Sequence, residues 1–181
     1  MVLWEVWLVS WLLAAIWSSR TVIHQPVAER LLHTTIIAAG TILLFASPRA
    51  LGPLLEPLFP EPVWLGWAAV ALAFLGFAYS WWARLHLGRL WSGTVTLKQD
   101  HAIVRSGPYA ITRHPIYTGL LAALIGTAVI RDAGAALLGL LVLLVGLVIK
   151  LRQEERLLIA HFGPAYRDYQ AQVRALVPGV W

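Results

Sequence analysis

Apolar residues in this chain are gathered into five long blocks that short polar segments separate. The blocks run from about 2 to 18, 31 to 46, 63 to 83, 116 to 130 and 133 to 149. A membrane-spanning helix needs about 20 mostly apolar residues, with a usable range of about 17 to 25. The pattern therefore predicts an all-α, polytopic membrane protein with about five transmembrane helices, folded as a single integral membrane domain over residues 1–181.

The five blocks divide this domain into two parts. Residues 1–83 hold three predicted helices, and we interpret the first as a retained helix because it lacks the basic leader of a secretory signal. Residues 84–181 hold the last two helices, which are joined through Arg131 and Asp132 and predict a tight antiparallel hairpin. Glycines recur seven residues apart on each arm of this hairpin, at 119 and 126 and at 139 and 146. Small residues on one helix face let helices approach closely in lipid, so ordinary helix packing is the favoured interpretation.

Composition and charge support the membrane interpretation and exclude several classes of protein. Hydrophobic residues make up 59% of the chain and charged residues 13%, well below the roughly 25% charged residues of soluble domains. The chain has no cysteine, which excludes disulfides and thiolate chemistry. Its net charge of +5 sits at the ends of the apolar blocks, where anionic lipid headgroups attract basic residues, so we expect no nucleic-acid partner.

The basic residues also predict an orientation. If the N-terminus is outside, the segments 19–30, 84–115 and 150–181 face the cytoplasm, and they hold 12 of the 14 Lys and Arg residues. An excess of Lys and Arg marks cytoplasmic loops. We therefore expect an integral protein of a bacterial or archaeal cytoplasmic membrane, with its polar, C-terminal face in the cytosol.

Polar residues concentrate in two segments. The first ends in Arg113 and His114 directly before Pro115, which suits the first turn of the fourth helix. This places the preceding residues at a helix N-terminus, where donors and a positive dipole end favour an anionic group. The second segment continues the fifth helix out of the membrane, and there Lys150 and Glu154 share one helix face because they are four residues apart.

Beyond that helix, Tyr166, Tyr169 and Val173 follow one another at helical spacing. This pattern predicts an amphipathic helix at the membrane interface, and for its tyrosines a place as interface anchors is favoured over a direct role in ligand binding. The sequence contains no HExxH, no Cys/His cluster, no Walker loop and no GxGxxG, and we expect no metal site.

Four short motifs occur in order along the C-terminal half. They are His101-Ala102-Ile103-Val104-Arg105-Ser106-Gly107-Pro108-Tyr109, Arg113-His114-Pro115-Ile116-Tyr117-Thr118-Gly119, Glu154-Glu155, and Phe162-Gly163-Pro164-Ala165-Tyr166-Arg167-Asp168-Tyr169. In these motifs the chain resembles the isoprenylcysteine carboxyl methyltransferases and the related phospholipid N-methyltransferases. The first three helices match that pattern in hydropathy alone.

The resemblance implies a membrane methyltransferase that binds S-adenosyl-L-methionine from the cytosol and takes a lipidic or prenylated acceptor from the bilayer. By position, the implied cofactor-binding residues are His101, Ala102, Ile103, Val104, Tyr109, His114, Pro115, Ile116, Tyr117 and Glu154. The candidate catalytic residues are Arg113, Glu154 and Glu155, and the candidate substrate-binding residues are Lys150 and Arg152. Lys150 stands where prenylcysteine enzymes carry an arginine, and an ammonium does not reproduce a bidentate guanidinium.

Three alternatives stay open from the sequence. A carboxylate acceptor needs no base, whereas the amine acceptor of a phospholipid N-methyltransferase must lose a proton, for which Glu154, Glu155, His101 or His114 are candidates. An NADPH-dependent reductase of the sterol-reductase type shares the Arg-His-Pro motif, but such reductases usually carry Asn where this chain has Ile116. A membrane scaffold without activity would leave the polar motifs without a role.

Overall fold

The computed structural model describes residues 1–45, 62–98 and 102–179 of the chain. Within these residues the helices are α1 (Val2–Ala15), α2 (Val27–Phe45), α3 (Val63–Leu87), α4 (Pro115–Arg131), α5 (Gly134–Phe162) and α6 (Pro164–Gln172). Two short strands, β1 (Thr21–His24) and β2 (Thr96–Lys98), pair antiparallel. The all-α prediction is confirmed, and the small strand pair, which joins the segments after α1 and after α3, was not predicted.

Three stretches of helix are long and apolar enough to cross a membrane. They are Val27–Phe45, Val63–Leu90 and Gly134–Phe162, and the last has the highest mean hydropathy, 2.6. Helices α1 and α4 are also apolar but have 14 and 17 residues. The chain is therefore an integral membrane protein, and the count of five transmembrane helices stays a prediction.

Glycines bring the helices into backbone contact in two pairs, α3 with α4 and α2 with α5. A Cβ added at Gly119 of α4 would lie 2.4 Å from the carbonyl oxygen of Gly76 in α3. A Cβ at Gly139 of α5 would lie 2.5 Å from the backbone nitrogen of Leu44 in α2, and Gly126 continues the α3–α4 contact. The predicted glycine faces do pack, but each arm of the hairpin packs through them on an earlier helix rather than on the other arm.

Helix α1 lies across α3 and α4 and is fixed there by its tryptophans. The indole N–H of Trp4 donates to the hydroxyl of Thr127 at 2.9 Å, and that of Trp7 donates to Ser80 at 3.0 Å. An indole N–H without a partner is costly in an apolar environment. These two hydrogen bonds therefore fix the position of α1 on α3 and α4. As a result, the next tryptophan of this face, Trp11, lies at the end of the helix nearest the polar motifs.

The ends of α1 and α3 are joined by Arg84, whose side chain is fully buried. Its guanidinium donates to the carbonyl oxygens of Ala14 at 2.6 Å, Gly88 at 2.7 Å and Trp17 at 3.1 Å. Carbonyl groups at helix C-termini carry the negative end of the helix dipole and so stabilise a cation. The same guanidinium lies 4.5 Å from the ring centroid of Trp91, which fixes that ring beside α1.

The segment after α6 runs beside the start of α4. The backbone N–H of Arg113 donates to the carbonyl of Arg174 at 2.8 Å, and that of His114 donates to Ala175 at 3.0 Å. These two N–H groups precede the first turn of α4 and have no partner within that helix. The C-terminal segment therefore holds the Arg-His-Pro motif in place through its backbone.

Candidate functional site

The polar motifs meet at a cavity of about 270 Å³. The sequence-predicted site residues that line it are Ala102, Ile103, Val104, Tyr109, Arg113, His114, Pro115, Ile116, Tyr117, Lys150 and Glu154. Arg152 and Glu155 do not line this cavity, and His101 lies outside the described residues. Residues from all four motifs thus converge on one space, between the start of α4 and the outer part of α5.

His114 stands at the centre of this arrangement because Pro115 starts α4 directly after it. Its ring is buried and parallel to that of Tyr117, with 5.6 Å between the ring centroids. The Nε2 atom lies 3.2 Å from Oε1 of Glu155, and Nδ1 lies 3.5 Å from Oε2 of Glu154. One imidazole therefore bridges the two adjacent carboxylates of α5.

Glu155 does not line the cavity, and its carboxylate contacts both Arg113 and His114. Both Nε and Nη2 of Arg113 lie 2.7 Å from its Oε1, and the amide of Gln170 donates to its Oε2 at 2.9 Å. Arg113 also donates to the carbonyl oxygen of Val173. Glu155 therefore contacts Arg113 and His114 without lining the cavity itself, and its candidate catalytic role stays a prediction.

Glu154 faces the cavity with a different set of partners. The hydroxyl of Tyr117 donates to its Oε1, and Lys150 lies one turn earlier on the same helix. The Lys150 ammonium donates to the carbonyl of Gly93 at 2.9 Å and sits 5.5 Å from the ring centroid of Tyr117. The cavity therefore presents one carboxylate and one ammonium close to the same aromatic ring.

The surroundings of His114 favour its charged form. Burial alone would lower the pKa of this imidazole, but its hydrogen bonds and Coulombic attraction to Glu154 and Glu155 outweigh burial. The pKa of His114 is therefore raised from its ordinary value. Burial likewise raises the pKa of Tyr169 to about 12, so its hydroxyl stays protonated and donates to the carbonyl of Tyr109 at 2.5 Å.

The structure gives the tyrosines of α6 a place different from the predicted one. Tyr166 and Tyr169 are each 3% exposed and line the cavity, whereas the sequence interpretation made them anchors at the membrane interface. The turn before the helix explains this, because Gly163 has a φ of 55° and folds α6 back from the end of α5. A polar helix after a long apolar one gives no sign of which face turns inward.

Sequence reasoning also missed the aromatic wall of the cavity. Trp7 and Trp11 of α1 and Trp91 after α3 line it together with the segment 92–96. Trp7 and Trp11 stack with their ring centroids 4.6 Å apart, and Trp11 meets Trp91 edge to face at 5.6 Å. Tryptophans at 4, 7 and 11 share one helix face, and that spacing is the signal that could have indicated an inward-facing stripe.

Comparison with known proteins identifies the family of this site. The family model for the isoprenylcysteine carboxyl methyltransferase (ICMT) family matches residues 69–160, which include α4 and the greater part of α3 and α5. The chain belongs to the isoprenylcysteine carboxyl methyltransferase family. Helix α1, with its tryptophans, and the C-terminal segment beside Arg113 lie outside the residues that the ICMT family model matches.

Two curated relatives are similar to this ICMT-family chain over longer or shorter stretches. The cobalt-zinc-cadmium resistance protein CzcN of Cupriavidus metallidurans is 28% identical over 158 residues, which cover 86% of this chain and 64% of that protein. The protein-S-isoprenylcysteine O-methyltransferase of Schizosaccharomyces pombe is 32% identical over 99 residues, 53% of this chain and 42% of that protein. The chain thus spans less than two thirds of the length of either relative.

Proposed function

We propose that this protein transfers the methyl group of S-adenosyl-L-methionine to the carboxylate of a lipidic acceptor of the isoprenylcysteine type. The observation that carries the proposal is the cavity in which Lys150, Glu154 and His114 meet beside Tyr117. Membership of the ICMT family supports a methyltransferase, and the chemistry of the lining residues supports the cofactor and the acceptor.

The residues of the cavity fit this cofactor. Its amino acid part carries an ammonium and a carboxylate, and its sulfur is a cation. The carboxylate of Glu154 and the ring face of Tyr117 suit positive groups, while a protonated His114 and Arg113 suit a carboxylate. When bound, the cofactor supplies a methyl group on a positively charged sulfur, and an ionised carboxylate can accept that methyl without losing a proton.

The charges around the cavity favour a carboxylate acceptor over an amine. Among the described residues, the carboxylates of Glu154 and Glu155 already accept hydrogen bonds from Tyr117, Arg113 or His114 and are poorly placed to take a proton from an amine. The Lys150 ammonium lines the same cavity and would attract a carboxylate and repel an ammonium. A carboxylate acceptor matches both features, because it is ionised at neutral pH and needs no base.

The apolar part of the acceptor has a matching surface in the same cavity. Trp7, Trp11, Leu87 and Leu120 line it. Such a wall removes hydrocarbon from water and also keeps water from the reacting groups. The role of the protein is then to orient the two reactants and to exclude water, since the donor is already activated.

Transfer of a labelled methyl group tests the acceptor class. Purified protein in lipid nanodiscs should methylate a farnesylated cysteine with a free carboxylate and leave its amide analogue and phosphatidylethanolamine unlabelled. Transfer to the aminolipid alone would contradict the carboxylate proposal. A rise in melting temperature with NADPH and none with S-adenosylmethionine would contradict the methyltransferase proposal itself, because a bound ligand stabilises the folded state.

Two substitutions test the proposed division of α5 into cofactor and acceptor residues. Glu154→Gln should weaken binding of S-adenosylmethionine about tenfold or more, because it removes a charged hydrogen-bond partner. Lys150→Ala should leave that binding within about twofold and raise the acceptor KM or lower turnover. Arg167→Ala, an exposed basic residue on α6, is the matched control. The division is wrong if Lys150→Ala loses the cofactor while Glu154→Gln keeps it.

A further inference from the structure

One face of α5 forms a shallow groove that is separate from the cavity. It is lined by Ile149, Arg152, Glu155, Arg156 and Ile159, which follow one another at helical spacing. The ion pair of Arg156 with Glu29, 3.5 Å apart, bounds the groove on the α2 side. The contact of Glu155 with Gln170 bounds it on the α6 side. The groove is therefore an open strip of one helix between two packed neighbours.

The position of this strip along α5 places it at the membrane surface. The apolar block of the helix ends at Ile149, and an α-helix rises 1.5 Å per residue. Arg152 and Arg156 then lie about 4.5 and 10 Å beyond the hydrocarbon boundary. The headgroup layer on each side of a bilayer is about 5 to 8 Å thick. The two guanidinium groups thus flank the depth at which lipid phosphates are found.

The charge of the groove is positive. Arg152 is exposed and has no hydrogen-bond or ion-pair partner among the described residues. Arg156 is 67% exposed in its side chain, and its contact with Glu29 is long. The carboxylate of Glu155 is already compensated by Arg113 at 2.7 Å. A phosphate in the groove would therefore meet two available guanidinium groups and little net repulsion.

We propose that this face of α5 binds the headgroup of an anionic phospholipid, with its phosphate between Arg152 and Arg156 and an acyl chain along Ile149. The two arginines are four residues apart and so project from the same face, within reach of one phosphate. A guanidinium offers two parallel donors that match phosphate oxygens. Two positive charges favour an anionic lipid over a zwitterionic one. This site is independent of the methyl-transfer proposal and gives Arg152 a role outside the cavity.

Lipid binding to the delipidated protein tests this site. Native mass spectrometry would follow titrations of the full chain with phosphatidylglycerol and, separately, with phosphatidylcholine. The parent should bind phosphatidylglycerol at one preferred site, and Arg152→Gln/Arg156→Gln should weaken that binding about 25-fold, since each basic residue near the surface contributes about fivefold. The Arg152→Lys/Arg156→Lys pair keeps both charges but loses the paired guanidinium donors, so it should bind more weakly than the parent and more tightly than the glutamine pair.

Matched controls make the outcome decisive. Arg167→Gln removes one exposed positive charge on α6, away from the groove, and should leave the preferred site unchanged. Equal losses in Arg167→Gln and in the glutamine pair would overturn the proposal, because they would indicate a general charge effect. Equal binding of phosphatidylcholine would overturn its preference for anionic lipid. Displacement of the lipid by millimolar inorganic phosphate would assign the groove to a free anion instead.

Discussion

The contact between α3 and α4 can be tested with a single methyl group. In Gly119→Ala, the new Cβ would lie 2.4 Å from the carbonyl oxygen of Gly76 and 2.7 Å from the backbone nitrogen of Ser80. Real Cβ atoms essentially never approach closer than 3.0 Å, so the helices must separate by about 0.6 Å or more. The obstructing atoms belong to the backbone, and a side-chain rotation cannot relieve the contact.

The cost of this separation follows from the packing of helix interiors. Adding a methyl group to a close-packed contact costs about 1–3 kcal/mol. Alanine is also a better helix former than glycine by about 1 kcal/mol. This favourable contribution must be subtracted from the measured change in stability to obtain the cost of packing. Gly66→Ala provides that correction, because Gly66 lies in α3 with nothing within 4 Å of its added Cβ. Gly119→Ala should therefore be about 1–3 kcal/mol less stable than Gly66→Ala.

A second glycine on the same contact separates stability from function. Gly126→Ala would meet the carbonyl of Ala69 at 2.4 Å and should cost a similar amount. Gly126 lies about 10 Å further along α4, whereas Gly119 follows Tyr117 by two residues. Both variants should therefore lose stability, and only Gly119→Ala should also weaken binding of S-adenosylmethionine.

The assays are denaturation with sodium dodecyl sulfate in mixed micelles, followed by circular dichroism, and calorimetric binding of the cofactor. Equal stability of the Gly119 and Gly66 variants would show that α3 and α4 are not held at backbone contact. Equal loss of cofactor binding in the Gly119 and Gly126 variants would show that the local displacement of the motif is not the cause.

Three further predictions concern charge and orientation. Glu155→Gln should lower the free energy of unfolding by about 3–5 kcal/mol, because it leaves the mostly buried Arg113 without its carboxylate. Glu29→Gln, which breaks an exposed ion pair, should lower it by under about 1 kcal/mol in the same denaturation assay. The raised pKa of His114 means that its protonation stabilises the fold most fully below the ordinary histidine pKa of about 6.5. The stability advantage of the parent over His114→Gln should thus fall as the pH rises through that raised pKa, and an advantage that grows with pH would contradict this. In this cysteine-free chain, Ser92→Cys should be protected from an impermeant thiol reagent in intact cells and Ala50→Cys should react, while labelling at position 92 would contradict the predicted orientation.

The helices could be predicted because lipid fixes their composition. The third apolar block, 63–83, became α3 (Val63–Leu87), and the fifth block continues through its polar end as the single helix α5 (Gly134–Phe162). Helix α2 starts at Val27, four residues before the predicted start, because its first turn carries Glu29 and Arg30 and escaped a search for apolar residues. Hydropathy reports where a helix is in lipid, and it does not report where the helix begins.

The site could be predicted in part, for a similar reason. Motif residues such as His114 and Glu154 line one cavity, and their meeting there was expected only from the family resemblance. The partners that hold them could not be predicted, because nothing local to Gln170 or Trp7 indicates which distant group it will contact. Tyr166 shows the limit most clearly, since the same helical spacing fits an interface anchor and a cavity wall.

The backbone bonds of Arg113 and His114 to the segment after α6 have a consequence for synthesis. Arg174 and Ala175 leave the ribosome after all the described helices, α1 to α6. Until they emerge, a nascent chain can have all its helices in the membrane and still lack the partners that orient Arg113. We therefore expect competence to bind the methyl donor to arise abruptly once Arg174 and Ala175 have emerged, rather than gradually as the helices insert.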